Sequence, residues 1–438
     1  MAPLDRATVA RVGAALVKAL PDTTGQPPRI LIGRDTRESG EWIEAELARG
    51  LLGEGAQAVS VGVIPTPGVA FLARTDGFDA GIVISASHNP YEDNGIKIFS
   101  GRGEKLDAAF ESAIERLVAD RAWQVDGAAT TPSVDPALGR HYVSHLLEIL
   151  PTAGPLSGSR VVVDCANGAT TNVAPALFEQ LGFETHLIGN QPDGRNINLG
   201  CGSTHLDLLQ REVVNRGARL GVAFDGDGDR ALFVDRHGKI VDGDAVLLIA
   251  AQHLQKINAL PGNAVVATVM SNIGLELALR ERGIELVRAP VGDKYVMEEM
   301  QKRGLAVGGE QSGHVIFANH LFTGDGIGTA LQMLRIMADS GQELDQLASS
   351  LVTYPQVLVN VRVRERVDYA KIPSIAEVIQ RVEARLSGQG RLLIRYSGTE
   401  PLLRIMLEGK DSSEIRQWAE EIAQTVRLEL ANPLPTPN

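Results

Sequence analysis

The sequence predicts an α/β protein built from three similar βαβ-type mixed-sheet domains plus a smaller C-terminal α+β domain. Three observations predict it. One pattern of apolar strand, polar loop, helix, glycine and second apolar strand recurs three times at spacings above 100 residues, too long a period for a solenoid. The strand cores in those segments are continuous apolar runs, as expected of parallel strands covered on both faces. After Tyr354-Pro355 the runs give way to alternation, the mark of a sheet with one covered face. A chain of 438 residues is too long for one core and fits three or four domains.

The elements follow in order. DRATVARVGAALVKAL places Val9, Val12, Leu16 and Leu20 on one helical face, and Arg11 and Lys18 make it too charged for a signal segment. The three repeats are RILIGRDTRESGEWIEAELARGLLGEGAQAVSVG, RVVVDCANGATTNVAPALFEQLGFETHLIG and AVVATVMSNIGLELALRERGIELVRAPVG. Gly55, Gly182 and Gly283 follow the helices, where a left-handed residue turns the chain back to the sheet. In the C-terminal part, QVLVNVRVRERV reads as a strand, SIAEVIQRVEARL as a helix, RLLIRYSGTEPLLRIMLEG as two strands around a turn, and SEIRQWAEEIAQTVRLEL as a helix. Linkers are expected at DGAATTPSVDPALG, RHGKIVDGD and VTYPQ, giving domains 1–138, 139–237, 238–352 and 353–438.

A net charge of −12 argues against nucleic acid or an anionic membrane surface as partner, so an anionic ligand must be held by a few local cations and backbone N–H groups. No run approaches a membrane span. Cys165 and Cys201 have neither CxxC nor metal spacing, which fits structural roles in a reducing compartment; a cytoplasmic protein is expected.

Four polar clusters carry the chemistry. GVAFDGDGDRALFV sets Asp225, Asp227 and Asp229 at alternate positions with glycines between them, directly after an apolar strand. Such a loop can converge three carboxylates on one hard cation, and without a cation they would repel strongly. An Asx-rich turn is the plain alternative. An EF-hand is excluded, because its sixth and twelfth positions would be Arg230 and Arg236. A phosphatase using Asp225 as nucleophile is a sharper rival, but it leaves the next cluster idle.

That cluster is GIVISASHNPYEDNGIKIF, Gly81 to Phe99. Ser87 lies in a turn beyond a strand end, where open α/β sheets place reactive groups, while Ser85 is nearer the strand and expected to pack or cap. There is no GxSxG elbow, and a hydroxyl facing a metal suits phosphoryl transfer better than acyl transfer. A simple hydroxyl turn with a satisfied His88 is the bland alternative. GGEQSGH offers Glu310 for bidentate bonds to sugar hydroxyls, with Ser312 and His314 close by. RYSGTEPLLR flanks a Ser-Gly-Thr turn with Arg395 and Arg404, a nest for phosphate or an exposed hairpin with solvated arginines.

In this order, ASHNP, DGDGDR, GEQSGH and RYSGTEP resemble the four signature loops of the α-D-phosphohexomutase superfamily, and DCANGAT, MSNIGLELAL and VGDKYV resemble its amino-sugar branch. The resemblance implies four domains around a central cleft: phosphoserine, metal-binding, sugar-recognition and phosphate-binding, in chain order. It implies that Ser87 carries the phosphoryl group as phosphoserine and that one Mg²⁺ is held by Ser87, Asp225, Asp227 and Asp229. Lys97 and His314 match positions near proton transfer, and Arg230 matches a support for the phosphoryl group. Glu310, Ser312 and His314 match sugar contacts; Arg395, Ser397, Gly398 and Thr399, with Arg404, match the phosphate clamp.

The implied reaction interconverts glucosamine 6-phosphate and glucosamine 1-phosphate through glucosamine 1,6-bisphosphate, toward UDP-N-acetylglucosamine for cell walls. Mannose or glucose phosphates are the neighbouring substrates. A small-molecule partner and, by analogy, a homodimer are expected. Members of the superfamily open with a strand and loop of the type FGTDGIRG, whose arginine lies at the active site. This sequence begins at the following helix, so the first domain is expected to lack that strand and the cleft that cation.

Overall fold

The computed structural model describes residues 4–21, 25–397 and 400–431. The chain divides into two compact units, one of Met1–Ser271 with Gly283–Ser350 and one of Asn272–Arg282 with Leu351–Asn438.

In the first unit the three repeats appear as three sheets of one design. The first is made of β1 (Arg29–Arg34), β2 (Gln57–Val63), β3 (Ala80–Ile84) and β4 (Ile96–Ser100), ordered β2-β1-β3-β4. β1 runs parallel to β2 and β3, and β4 returns antiparallel to β3. The second comprises β5 (Arg160–Asp164), β6 (Glu184–Ile188), β7 (Leu220–Phe224), β8 (Ala231–Asp235) and β9 (Ile240–Val241), ordered β6-β5-β7-β8-β9. The third is β10 (Ala264–Thr268), β11 (Glu285–Ala289), β12 (Val307–Gly309) and β13 (Val315–Phe317), ordered β11-β10-β12-β13. In each, the third strand leads through a polar loop into an antiparallel fourth.

The continuous apolar runs are buried as the pattern requires: Ile30, Leu31 and Ile32 in β1, Val161 to Val163 in β5, and Ala264 to Ala267 in β10. Gly55, Gly182 and Gly283 all adopt positive φ. The N-terminal helix Arg6–Ala19 crosses Gly40–Gly53 at backbone contact, since a side chain on Gly50 would meet the Ala10 carbonyl at 2.0 Å and one on Gly13 the Leu47 carbonyl at 2.4 Å.

Two segments expected as linkers carry secondary structure of their own. RHGKIVDGD turns β8 into β9, and Asp242 then caps the helix Gly243–Lys256. Its apolar pair Ile240-Val241 has partners in Val234 and Phe233, so the second sheet runs past residue 237. DGAATTPSVDPALG is a connection only up to Asp135, which caps the helix Pro136–Ile149.

The second unit holds the antiparallel sheet β14 (Gln356–Arg362), β15 (Arg391–Tyr396) and β16 (Leu402–Glu408), ordered β14-β16-β15. Alternation in β14 buries Val357 and Val361, which share a core with the helices Pro373–Leu386 and Ser412–Leu430. The helix Ile273–Arg280 is the crossover from β10 to its parallel neighbour β11, as expected, and groups with this unit. Asn272 exchanges hydrogen bonds with the backbone of Tyr354, the Ile273 N–H donates to Glu408, and a side chain on Gly274 would strike the Val352 carbonyl at 2.0 Å.

Candidate functional site

The loop after β3 and the loop after β7 meet. Ser87 Oγ donates to Asp225 Oδ2 at 2.5 Å, and Asp225, Asp227 and Asp229 each offer a ligand atom within 4.8 Å of the others. All three carboxylates are buried. Glycine makes the approach possible: a side chain on Gly226 would stand 2.5 Å from the Ser87 carbonyl.

Around the aspartates, Lys97 Nζ on β4 donates to Asp227 Oδ2 at 2.6 Å and lies 3.6 Å from Asp229. Thr66 Oγ1 donates to Asp227 Oδ2 at 2.6 Å, and the Arg230 N–H to Asp225 Oδ1 at 3.1 Å. Burial, with the charges of Asp229 and Asp227, pushes the Asp225 carboxyl well above the carboxylate range. Burial works the same way on Asp229, but Lys97 and His314 outweigh it and hold that carboxyl well below. Burial also opposes the charge on Lys97, yet the aspartates hold its ammonium above its ordinary range.

Asp227 Oδ1 and Asp229 Oδ1 are buried with no hydrogen-bond partner among the described residues. Buried carboxylate oxygens without a donor are costly, and an oxygen-preferring divalent cation is the group that satisfies them. The donor set therefore fits a hard metal ion.

The serine turn is strained. Ser87 has φ 51°, a left-handed conformation that costs a non-glycine residue on the order of 1–3 kcal/mol. Ser85, two residues earlier, is buried; its hydroxyl donates to Asp35 Oδ2 at 2.5 Å and accepts the Ser87 N–H at 3.0 Å. Burial raises the Asp35 carboxyl although Arg37 opposes the shift. His88 Nδ1 lies 3.3 Å from Ser87 Oγ, and burial and Arg230 lower its pKa, so the ring is neutral near pH 7.

The third repeat contributes the loop between β12 and β13. Glu310 accepts the Gly292 N–H on Oε1 at 3.1 Å and the Ser312 hydroxyl on Oε2 at 3.3 Å, so its carboxylate is oriented by VGDKYV. His314 is buried with Nδ1 3.6 Å from Asp229 and Nε2 3.6 Å from Asp293, and Asp293 also pairs with Lys105. Burial alone would lower the His314 pKa, but Asp229 and Asp293 hold it above the ordinary range. The Gly324 N–H donates to Nε2 at 3.1 Å, which in the neutral ring leaves Nδ1–H for Asp229. Arg230 Nε sits 3.8 Å from Asp229 Oδ1 and is buried without a hydrogen bond among the described residues.

In the second unit, Arg395 and Arg404 are direct cross-strand partners on β15 and β16. Like charges in that register repel, and an anion between them would offset the repulsion. Arg404 also donates to Ser397 Oγ at 3.3 Å. Gly398 and Thr399 lie outside the described residues.

Asp35, Arg37, Thr66, Asn198 and Asp293 join the site without being singled out by the sequence; the one local signal is that Asp293 lies in VGDKYV.

Three α/β repeats with a carboxylate cluster against a serine, followed by a small domain with paired arginines, define a multidomain phosphohexomutase fold. Family models agree along most of the chain: phosphoglucomutase/phosphomannomutase alpha/beta/alpha domains I, II and III match residues 1–124, 140–238 and 242–354, and the C-terminal domain matches 358–425. The chain is 49% identical over 433 residues to the phosphoglucosamine mutase of Solibacter usitatus, covering 98% of this chain and 96% of that one. It is 48% identical over 412 residues to the phosphoglucosamine mutase of Caldicellulosiruptor bescii, covering 92% and 91%. A phosphoglucomutase/phosphomannomutase family protein of Burkholderia thailandensis shares the fold with a TM-score of 0.79 at 24% identity, over 97% of this chain and 94% of that one. The chain belongs to the phosphoglucomutase/phosphomannomutase family.

Proposed function

We propose that this protein is an intramolecular phosphotransferase that interconverts glucosamine 6-phosphate and glucosamine 1-phosphate, with Ser87 as phosphoryl carrier. The observation that carries the reading is the Ser87 hydroxyl 2.5 Å from a carboxylate of the buried aspartate triad, together with relatives of that activity near half identity over nearly the full length. Phosphoserine donates to the free sugar hydroxyl, the resulting 1,6-bisphosphate turns over, and Ser87 takes back the other phosphoryl group. Asp225, Asp227 and Asp229, with phosphorylated Ser87, would hold Mg²⁺. When bound, that ion offsets charge on the transferring oxygens.

Arg230 supports the phosphoryl group from the same loop. Lys97 and His314 hold or move the proton of the reacting hydroxyl, each already paired to an aspartate. Glu310 and Ser312 take sugar hydroxyls, and Arg395, Ser397, Gly398, Thr399 and Arg404 clamp the phosphate that is not reacting. The first repeat thus bears the carrier, the second the cation and the third the sugar site. A reducing cytoplasm suits the two unpaired buried thiols.

The test compares kcat/KM for glucosamine, glucose and mannose 6-phosphates with Mg²⁺ and catalytic 1,6-bisphosphate, alongside intact mass for phosphate on Ser87. Preference for the amino sugar with an acid-stable phosphate upholds the reading. Preference for another hexose moves it within the family. Release of inorganic phosphate that survives Ser87→Ala but is lost in Asp225→Asn replaces it with a phosphatase.

A further inference from the structure

Both backbone groups of Ser87 lead back to one buried carboxylate. Its N–H donates to Ser85 Oγ, which donates to Asp35 Oδ2. Its carbonyl accepts Arg37 Nη2 at 3.0 Å, and Arg37 Nε donates to the same Asp35 Oδ2 at 2.9 Å. The Arg37 guanidinium also donates to two further carbonyls of the same turn, Asn89 at 3.0 Å and Pro90 at 2.5 Å. The side chains of Asp35 and Arg37 are both fully buried. From the second repeat, Asn198 Nδ2 donates to the carbonyls of Ser87 and Asn89 at 2.9 and 3.1 Å.

This is an unusual expenditure for a buried ion pair. A pair serving stability alone would satisfy itself, whereas here a planar fork serves three carbonyls of one turn, something a lysine's point charge has no geometry to do. What the turn gains is a conformation that a serine does not adopt freely, with φ 51° at Ser87 and its hydroxyl aimed at Asp225.

We propose that Arg37, anchored by Asp35, is a positioning residue that holds Ser87 in its left-handed conformation and so sets the rate at which phosphoryl groups enter and leave that serine. This rests on the reading of Ser87 as carrier. Arg37 touches neither metal ligand side chains nor the reacting oxygen; it acts through the backbone. The role belongs to kcat, since the sugar and phosphate contacts assigned above lie on other loops.

The test uses the full chain with Arg37→Lys, which keeps the charge beside Asp35 and removes the fork. Thermal melting first establishes that the variant is folded. The expected result is kcat lower by about 100-fold, the scale of an ångström-level misplacement, with KM within about threefold and the rate of Ser87 phosphorylation by glucosamine 1,6-bisphosphate reduced by the same factor as kcat. A folded Arg37→Lys whose kcat and phosphorylation rate stay within about threefold of the parent overturns the proposal, as does an equal change in KM.

If Arg37→Lys does not fold, Ser85→Ala removes only the N–H arm; a kcat decrease of about tenfold at unchanged KM is then expected, and no decrease overturns the proposal. If the parent protein shows neither turnover nor phosphate on Ser87, the mutase reading has failed. A crystal structure of whichever variant folds then decides the matter: Ser87 leaving positive φ upholds the positioning role, and Ser87 remaining there overturns it.

Discussion

The loop that follows β3 and the loop that follows β7 occupy the same place in two copies of one design, yet they are built in opposite ways. In the first repeat the turn is held by buried charge, Asp35 and Arg37, and the Ser87 hydroxyl sits on a strained residue. In the second the turn is made of glycines at contact distance, and the unsatisfied groups are the carboxylates themselves. The third repeat uses the same place for Glu310 and His314. The difference teaches that the repeat supplies a location, the end of a parallel strand before an antiparallel return. The local device there differs: strain and support for the Ser87 hydroxyl, close packing and unmet charge for the three aspartates.

The largest effect that would break the comparison is at the first loop. Ser87→Ala is expected to lower sugar-phosphate isomerisation by ~10,000-fold or more in a coupled assay, against only about tenfold for Ser85→Ala; comparable losses would show that the two serines are not distinguished as described. At the second loop, Asp227→Asn removes one charge from the triad and a partner of Lys97. Turnover at fixed Mg²⁺ is expected to fall ~100-fold, with part of the loss recovered as Mg²⁺ is raised. Loss insensitive to Mg²⁺ across a titration would make Asp227 a partner of Lys97 rather than a ligand.

Gly226→Ala sharpens the contrast between the devices. Its new methyl would press on the Ser87 carbonyl, and a destabilisation of about 2 kcal/mol is expected from overpacking, read as a lowered denaturant midpoint. An unchanged midpoint would mean that the two loops can move apart freely.

The smallest effect lies away from both loops. His145 stacks between Phe71 and His320, at ring separations of 4.0 and 4.3 Å, and burial followed by the His320 charge lowers its pKa. The unfolded chain then binds a proton that the folded chain resists, so stability is full above the ordinary histidine range and falls as pH drops through it. His145→Gln should flatten the decline in Tm between about pH 7 and pH 5 by a degree or two. An unaltered slope would assign the decline to other groups.

What was legible in the sequence was whatever sat close together in it. Asp225, Asp227 and Asp229 announce themselves within five residues, and so do Glu310, Ser312 and His314. The strands were legible for the same reason, since Ile30 to Ile32 and Val161 to Val163 declare burial by their own neighbours. Residues that acquire meaning from distant partners were not. Arg37 reads as a surface arginine until the chain brings the turn 50 residues away onto it, and Asn198 contacts Ser87 across 111 positions. Ile240-Val241 was too short to read as a strand without its hairpin partner, and nothing in NIGLELALR tells that its cap will bond to Tyr354 and Glu408.

That last helix has a consequence for how the molecule can be divided. Because Asn272–Arg282 belongs to the same unit as Leu351–Asn438, the chain passes between its two units three times, after Ser271, after Arg282 and after Ser350. Cutting the chain after Ser350 would not release a finished body. It would strip the helix Ile273–Arg280 of the carbonyl, the cap partner and the carboxylate against which it is set. Exchanging the last 88 residues alone would leave Asn272 and the Ile273 N–H without the Tyr354 and Glu408 partners they hold here.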